Sequence, residues 1–227
     1  AVLSLPAGGS DLITCEYCNT TFRVPKTLTP EPSIGDLILG ADFSRKPIPG
    51  WGFINEDSSS LVQTKPPELR AKLAASDMLY YVLNSSGYFD NVDASVSFRF
   101  DAGDVEYIRA GLVLRYQKGV GSYGVLISAQ NTYMVGYYEK TAAGDGSVDW
   151  KTILDWTRHT ALRGGLKQTN RLRVIVDGNR LRVYLNGVVA TSLRDNHFEL
   201  GEVLLAAEPG SKAGIEVAFS DLQLRSV

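Results

Sequence analysis

No stretch of this sequence approaches eighteen consecutive apolar residues, so no segment is long enough to cross a bilayer as a helix. The first residues also lack the basic start and apolar core of a secretory leader. A chain that does not insert into a membrane is therefore expected, with its compartment left open. Excess positive charge is missing too. A net charge of -2 and a pI near 5.8 give a polyanion no field to follow, which sets nucleic acid aside as a partner. Catalytic signatures are equally scarce. Glycoside hydrolysis needs two carboxylates roughly 5 to 10 Å apart, and no Glu-x-Asp-x-Glu run places such a set on one strand face. The nearest approach, Asp101-Ala-Gly-Asp104-Val-Glu106, reads as a solvated hairpin loop. Neither His159 nor His197 has a Gly-x-Ser-x-Gly elbow beside it, so both read as plain turn histidines and no catalytic residue is assigned.

What is present begins with a cysteine pair. In Cys15-Glu-Tyr-Cys18-Asn19 a two-residue gap lets one turn aim both sulfurs at a single ion, and Asn19 tolerates the positive φ that follows such a knuckle. Tetrahedral zinc needs four ligands, so Cys15 and Cys18 form a half site. The segment resembles the second half of a bacterial zinc ribbon, which implies a first cysteine pair upstream of Ala1. A Cys15–Cys18 disulfide, two free thiols and zinc shared between two chains are the other readings. Residues 1–25 are thus a partial ribbon-like segment, 26–35 a proline-rich linker, and 36–227 the main domain.

That domain reads as all-β. Apolar residues alternate with polar ones in short runs broken by glycine, asparagine and aspartate, and no long amphipathic helix is convincing. Strands are expected at 92–100, 108–116, 121–128, 132–138, 151–155, 201–206 and 215–225, with 68–75 a strand or a short helix. Arg171–Val176, Arg180–Leu185 and Val188–Ser192, joined by Asp177-Gly-Asn and Asn186-Gly187, form an antiparallel meander, because Asn-Gly supplies the two positive φ values of a type I′ turn. Leu172, Val174 and Val176 share an inward face, and Arg171, Arg173, Arg180 and Arg182 share the other, either as a grip for an anion or as a solvated outer face. The fold class expected is a two-sheet antiparallel jelly-roll sandwich.

From Asp42 to Val227 the sequence resembles a concanavalin A-like jelly roll of the laminin-G and glucanase type. More narrowly, it is similar to a bacterial three-keto-disaccharide hydrolase-like domain of unknown function. The likeness rests on Asp42-Phe43 before Gly50-Trp51, Ala110-Gly-Leu-Val-Leu-Arg115, Tyr123-Gly-Val-Leu-Ile-Ser128, Trp150-Lys-Thr-Ile-Leu-Asp-Trp156 and Ala218-Phe-Ser-Asp-Leu-Gln-Leu224. Relatives of this kind carry the domain beside zinc ribbons, membrane anchors or kinase-like modules, which implies recognition. It says less of activity, because function lives in sites grafted onto such folds.

Sugar-binding surfaces set flat aromatic rings against pyranose faces and fix hydroxyls with a few polar groups. Arg115, Tyr133, Tyr137, Trp150 and Trp156 are the candidates for such a site. Asp90, Asp93 and Asp221 are candidates for a calcium clamp of the type that ties sandwich loops together, though such residues also initiate turns by themselves. A recognition module for carbohydrate or a similar polar ligand is the leading expectation. The alternatives are a keto-disaccharide glycoside hydrolase and an assembly protein forming homo-oligomers through sheet edges and the N-terminal arm.

Overall fold

The computed structural model describes residues 34–41, 43, 61–73, 80–82, 87–141, 148–210 and 214–227, together with two short N-terminal strands. The chain divides into two units, residues 1–33 and 34–227. In the first, β1 (Leu12–Thr14) pairs antiparallel with β2 (Thr21–Arg23). Cys15 and Cys18, and the zinc expectation with them, lie outside the described residues, as does Trp51.

The second unit contains only strands and turns among its described residues. It opens with β3 (Leu37–Ala41), β4 (Leu61–Lys65), β5 (Glu68–Leu73), β6 (Tyr80–Val82) and β7 (Val92–Ala102). Next come β8 (Arg109–Gln117), β9 (Gly121–Ser128), β10 (Thr132–Lys140) and β11 (Val148–Arg158). The last are β12 (Thr169–Asp177), β13 (Arg180–Leu185), β14 (Val188–Arg194), β15 (Glu202–Glu208) and β16 (Ile215–Arg225). Two antiparallel sheets result. One runs β14-β13-β12-β7-β16-β5-β4 with β3 added against β16, and the other runs β11-β10-β9-β8-β15-β6.

The sheets stack because each turns an apolar face to the other. Val92, Ala94, Val96, Phe98 and Phe100 of β7 point inward, with Leu172, Val174 and Val176 beside them and Leu112, Leu114, Val125, Ile127, Val135 and Leu205 contributed by the second sheet. All are essentially inaccessible to solvent. Burying each such side chain is worth roughly 1.5 to 3 kcal/mol. The expected meander is present, with Asn186 and Gly187 at φ 50° and 84° between β13 and β14. The ambiguous segment after Pro66-Pro67 is strand β5, its Leu69, Ala71 and Leu73 buried at period two.

Two differences from the sequence pattern have physical causes. β11 is eleven residues long rather than five, because register shifts opposite Val135 turn the consecutive Ile153 and Leu154 both toward the core and break the alternation at its centre. β4 was not expected at all. Lys65 pairs with Glu68, so the two prolines form the corner of a hairpin rather than a break before a single strand.

Candidate functional site

The five residues expected to bind ligand are not brought to one place. Tyr133 is 2% exposed on the inner face of β10, its hydroxyl donating to the Ala190 carbonyl at 3.3 Å. It is core and presents no ring to a ligand. Tyr137, four residues on, also faces inward, packing edge-on against Tyr123 and Phe198 and stacking on His197 at 4.1 Å. Arg115 is 3% exposed at the end of β8, with φ 53°. Its guanidinium donates to the carbonyls of Asp90, Phe198 and Gly178 and so ties three loops together. Only Trp150 and Trp156 share a surface, the outer face of the six-stranded sheet.

That face is apolar along its middle. Val113, Leu126, Met134, Leu204 and Ala206, from β8, β9, β10 and β15, form a buried strip against which Tyr116, Trp150 and Trp156 pack. Gly124 and Gly136, direct register partners on β9 and β10, make room for the Trp150 indole. A methyl group on Gly124 would stand 3.1 Å from two carbons of its six-membered ring, and one on Gly136 would overlap the ring. The six-membered ring of the indole therefore sits over both glycines. Tyr138 meets it edge-on at 4.5 Å, and its Nε1 donates to Thr152 Oγ1 at 3.2 Å. At the other end of β11 the Arg109 guanidinium lies 4.9 Å from the Trp156 ring centre and is anchored by Glu208 at 3.0 Å. Ser122, Ser128, Thr132 and Glu202 complete a polar border by their place in the register, and burial raises the Glu202 carboxyl above the ordinary carboxylate range. Tyr116, Arg109 and the glycines were missed by sequence reasoning.

The opposite outer face, on the eight-stranded sheet, is occupied with itself. Arg173 grips Asp93 through two hydrogen bonds of 2.8 and 3.0 Å and lies over Tyr184, while Arg171 donates to Ser95 and Ser97. Arg182 is 7% exposed. These arginines make the sheet's own polar surface rather than an anion grip. Further along, Arg99 bridges Glu68 and Asp101 at 2.9 and 2.7 Å, and Arg70 and Lys167 join the same network. Glu68 and Asp101 are thus a close carboxylate pair. The Arg99 hydrogen bond holds Asp101 below its usual range, and at Glu68 burial is outweighed by hydrogen bonds from Arg99 and Arg70. A general acid needs the opposite shift. On the six-stranded face, Glu202 and Glu208 stand six residues apart on one strand, about 20 Å at the ordinary rise, far beyond hydrolytic spacing.

Asp104 caps its own turn, accepting from the Glu106 amide at 3.1 Å, as a loop residue should. His159 Nδ1 accepts from the Ala161 amide in a turn. His197 is less plain than its sequence suggests: Nδ1 meets Asp195 at 2.7 Å and Nε2 meets the Tyr137 hydroxyl at 2.9 Å. Asp195 also accepts from the Tyr123 hydroxyl at 2.5 Å. This has the order of a hydrolytic triad, but burial together with Glu139 and Asp195 raises the Tyr137 hydroxyl rather than activating it. The calcium candidates do not converge either. Asp93 is spent on Arg173, Asp90 Oδ1 caps the Asn91 amide, and Asp221 sits at φ 50° in the irregular stretch of β16. Among the described residues no group of three acids, histidines or cysteines is placed to hold a metal.

No protein-family model and no curated protein matches this sequence. Solved structures do match its fold. A carbohydrate-binding module, CBM66 from Bacillus subtilis, aligns at a TM-score of 0.58 with 15% identity, covering 78% of this chain and 96% of the module. The catalytic domain of an endo-1,3-β-glucanase (laminarinase) from Thermotoga petrophila aligns at 0.57 with 9% identity, covering 85% and 98%. SCLam, a non-specific endo-β-1,3(4)-glucanase of family GH16, aligns at 0.57 with 10% identity, covering 86% and 92%. The chain shares the jelly-roll sandwich of all three.

Proposed function

We propose that this chain is a non-catalytic recognition module for carbohydrate, and that it binds a glycan across the outer face of the six-stranded sheet. One observation carries the reading: the half-buried Trp150 indole is seated over Gly124 and Gly136 within an apolar strip bordered by serine, threonine, arginine and glutamate side chains. A half-buried indole on the outside of a sheet supplies an aromatic surface for the apolar side of a pyranose, while Arg109, Glu208 and Thr132 are of the types that hold hydroxyls. The sandwich neighbours that bind or cleave glycans support a carbohydrate ligand. The 20 Å spacing of the two glutamates on this face favours binding over cleavage.

The test is a glycan array followed by calorimetric titration of the strongest hit. Trp150→Ala is expected to weaken binding roughly tenfold or more, the loss of one ring's stacking and burial, and Trp156→Ala to weaken it less because Arg109 already covers that ring. Retained affinity in both variants, or an array without hits, overturns the proposal. Turnover of any glycan that binds would overturn its non-catalytic part.

A further inference from the structure

Away from the Trp150 face, loops at one end of the second unit border a half-open hollow of about 360 Å³. Asp90, Asn91, Asn179, Asn196 and Glu199 surround it, and Arg115 and Phe198 form its buried base. Ligand pockets begin at roughly 300 Å³, so this one suits a single small ring and not a chain. Its construction is deliberate in a physical sense. Arg115 is held by three backbone carbonyls from three loops, which fix its position, while the nearby Asp90 and Glu199 carboxylates offset its charge without hydrogen-bonding to it. The Asn91 amide oxygen accepts from the Gly178 amide at 2.8 Å and braces the loop that carries Asn179.

Charge then selects the ligand. Asp90 and Glu199 at the rim repel an anion, and Arg115 beneath them offsets much of their pull on a cation. What remains compatible is a neutral molecule with many hydroxyls, for which planar amides and carboxylates are paired acceptors and donors, and Phe198 an apolar base. We propose that this hollow binds one neutral sugar unit, the terminal residue of a glycan. That the unit is a sugar rests on the carbohydrate reading above; that it is small, neutral and hydroxyl-rich rests on the hollow itself.

The full chain, isotope-labelled, is titrated with neutral methyl glycosides, a hexuronate, calcium chloride and a neutral oligosaccharide, following backbone amide and indole N–H signals. Saturable shifts at Asn179, Asn196 and Glu199 with a neutral methyl glycoside are expected. Asn179→Ala and Glu199→Gln, both exposed and neither accepting a hydrogen bond from Arg115, should each weaken that binding about tenfold, and Trp150→Ala should leave it unchanged. A response to hexuronate or calcium but not to neutral glycosides overturns the proposal, as does no response to any probe. If the oligosaccharide moves the two indoles while these three amides stay still, the hollow alone fails. If the amides move and the indoles do not, the face alone fails.

Discussion

Gly136 stands so close to the Trp150 ring and to the Lys151 carbonyl that a methyl group has nowhere to go, the carbonyl oxygen lying 2.5 Å from where its carbon would be. Gly136→Ala is expected to lift the indole, cost about 1 to 3 kcal/mol in urea unfolding and red-shift tryptophan emission; unchanged emission would show that the ring does not need the glycine. Tyr123 makes a different residue-scale prediction. Burial, reinforced by its hydrogen bond to Asp195, pushes its hydroxyl up to about 12 from an ordinary 10. The folded protein therefore keeps a proton that the unfolded chain releases first. The stability this group contributes is complete below pH 10 and drains away as pH rises toward 12. Tyr123→Phe should flatten that alkaline limb in chemical denaturation, and an equally steep limb in the variant would locate the titration elsewhere.

Among elements, the outer surface of the eight-stranded sheet is a ledger of charges that cancel. Asp101, 8% exposed, meets Arg99, Arg70 and Lys167. Its carboxyl is held below 3.8, chiefly by the Arg99 hydrogen bond. Here the sign reverses relative to Tyr123: the contribution is present above the unfolded-state value and is lost as pH falls beneath it. Stability should thus be insensitive to this group from neutrality down to about pH 5 and decline below about pH 4. Asp101→Asn should make that acid limb shallower, as followed by thermal unfolding across pH. A limb of wild-type slope would show that the network is not what acid breaks. The two outer faces also differ in a way already written in the strands. β7 alternates strictly, as in Asp93-Ala-Ser-Val-Ser-Phe, and β12 does so over Arg171-Leu-Arg-Val before Ile175 breaks the pattern, so their outer faces are polar apart from Ile175. β8, β9 and β15 instead contain unbroken runs, Gly111-Leu-Val-Leu114, Val125-Leu-Ile127 and Val203-Leu-Leu-Ala-Ala207, and these are buried on both sides. That loss of alternation was the available signal for an apolar outer face.

At the scale of the whole molecule, fold and recognition rest on different residues and can be separated. Phe98 packs against Phe100 and Phe219 where the two sheets meet, so Phe98→Ala should cost about 3 to 5 kcal/mol of stability. Trp150→Ala, on the outside of the sandwich, should cost less stability than Phe98→Ala while abolishing most glycan affinity; a stability loss as large as that of Phe98→Ala with glycan affinity retained, measured by denaturation and titration on the same samples, would place Trp150 in the scaffold instead. The all-β class, the antiparallel meander with its Asn186-Gly187 turn, and the inward set Leu172, Val174 and Val176 on β12 were determined by the sequence alone, because period two and turn chemistry are local properties that survive without knowledge of neighbours. Which aromatics stay together was not. Tyr133, Tyr137, Trp150 and Trp156 have the same residue chemistry and lie within one hairpin's length, yet the first two fill the core and the last two lie outside it. That division depends on which face each neighbouring strand turns inward and on where glycines open space across a register. The hollow above Arg115 depends on it still more, since its walls come from loops that meet only when both sheets are closed.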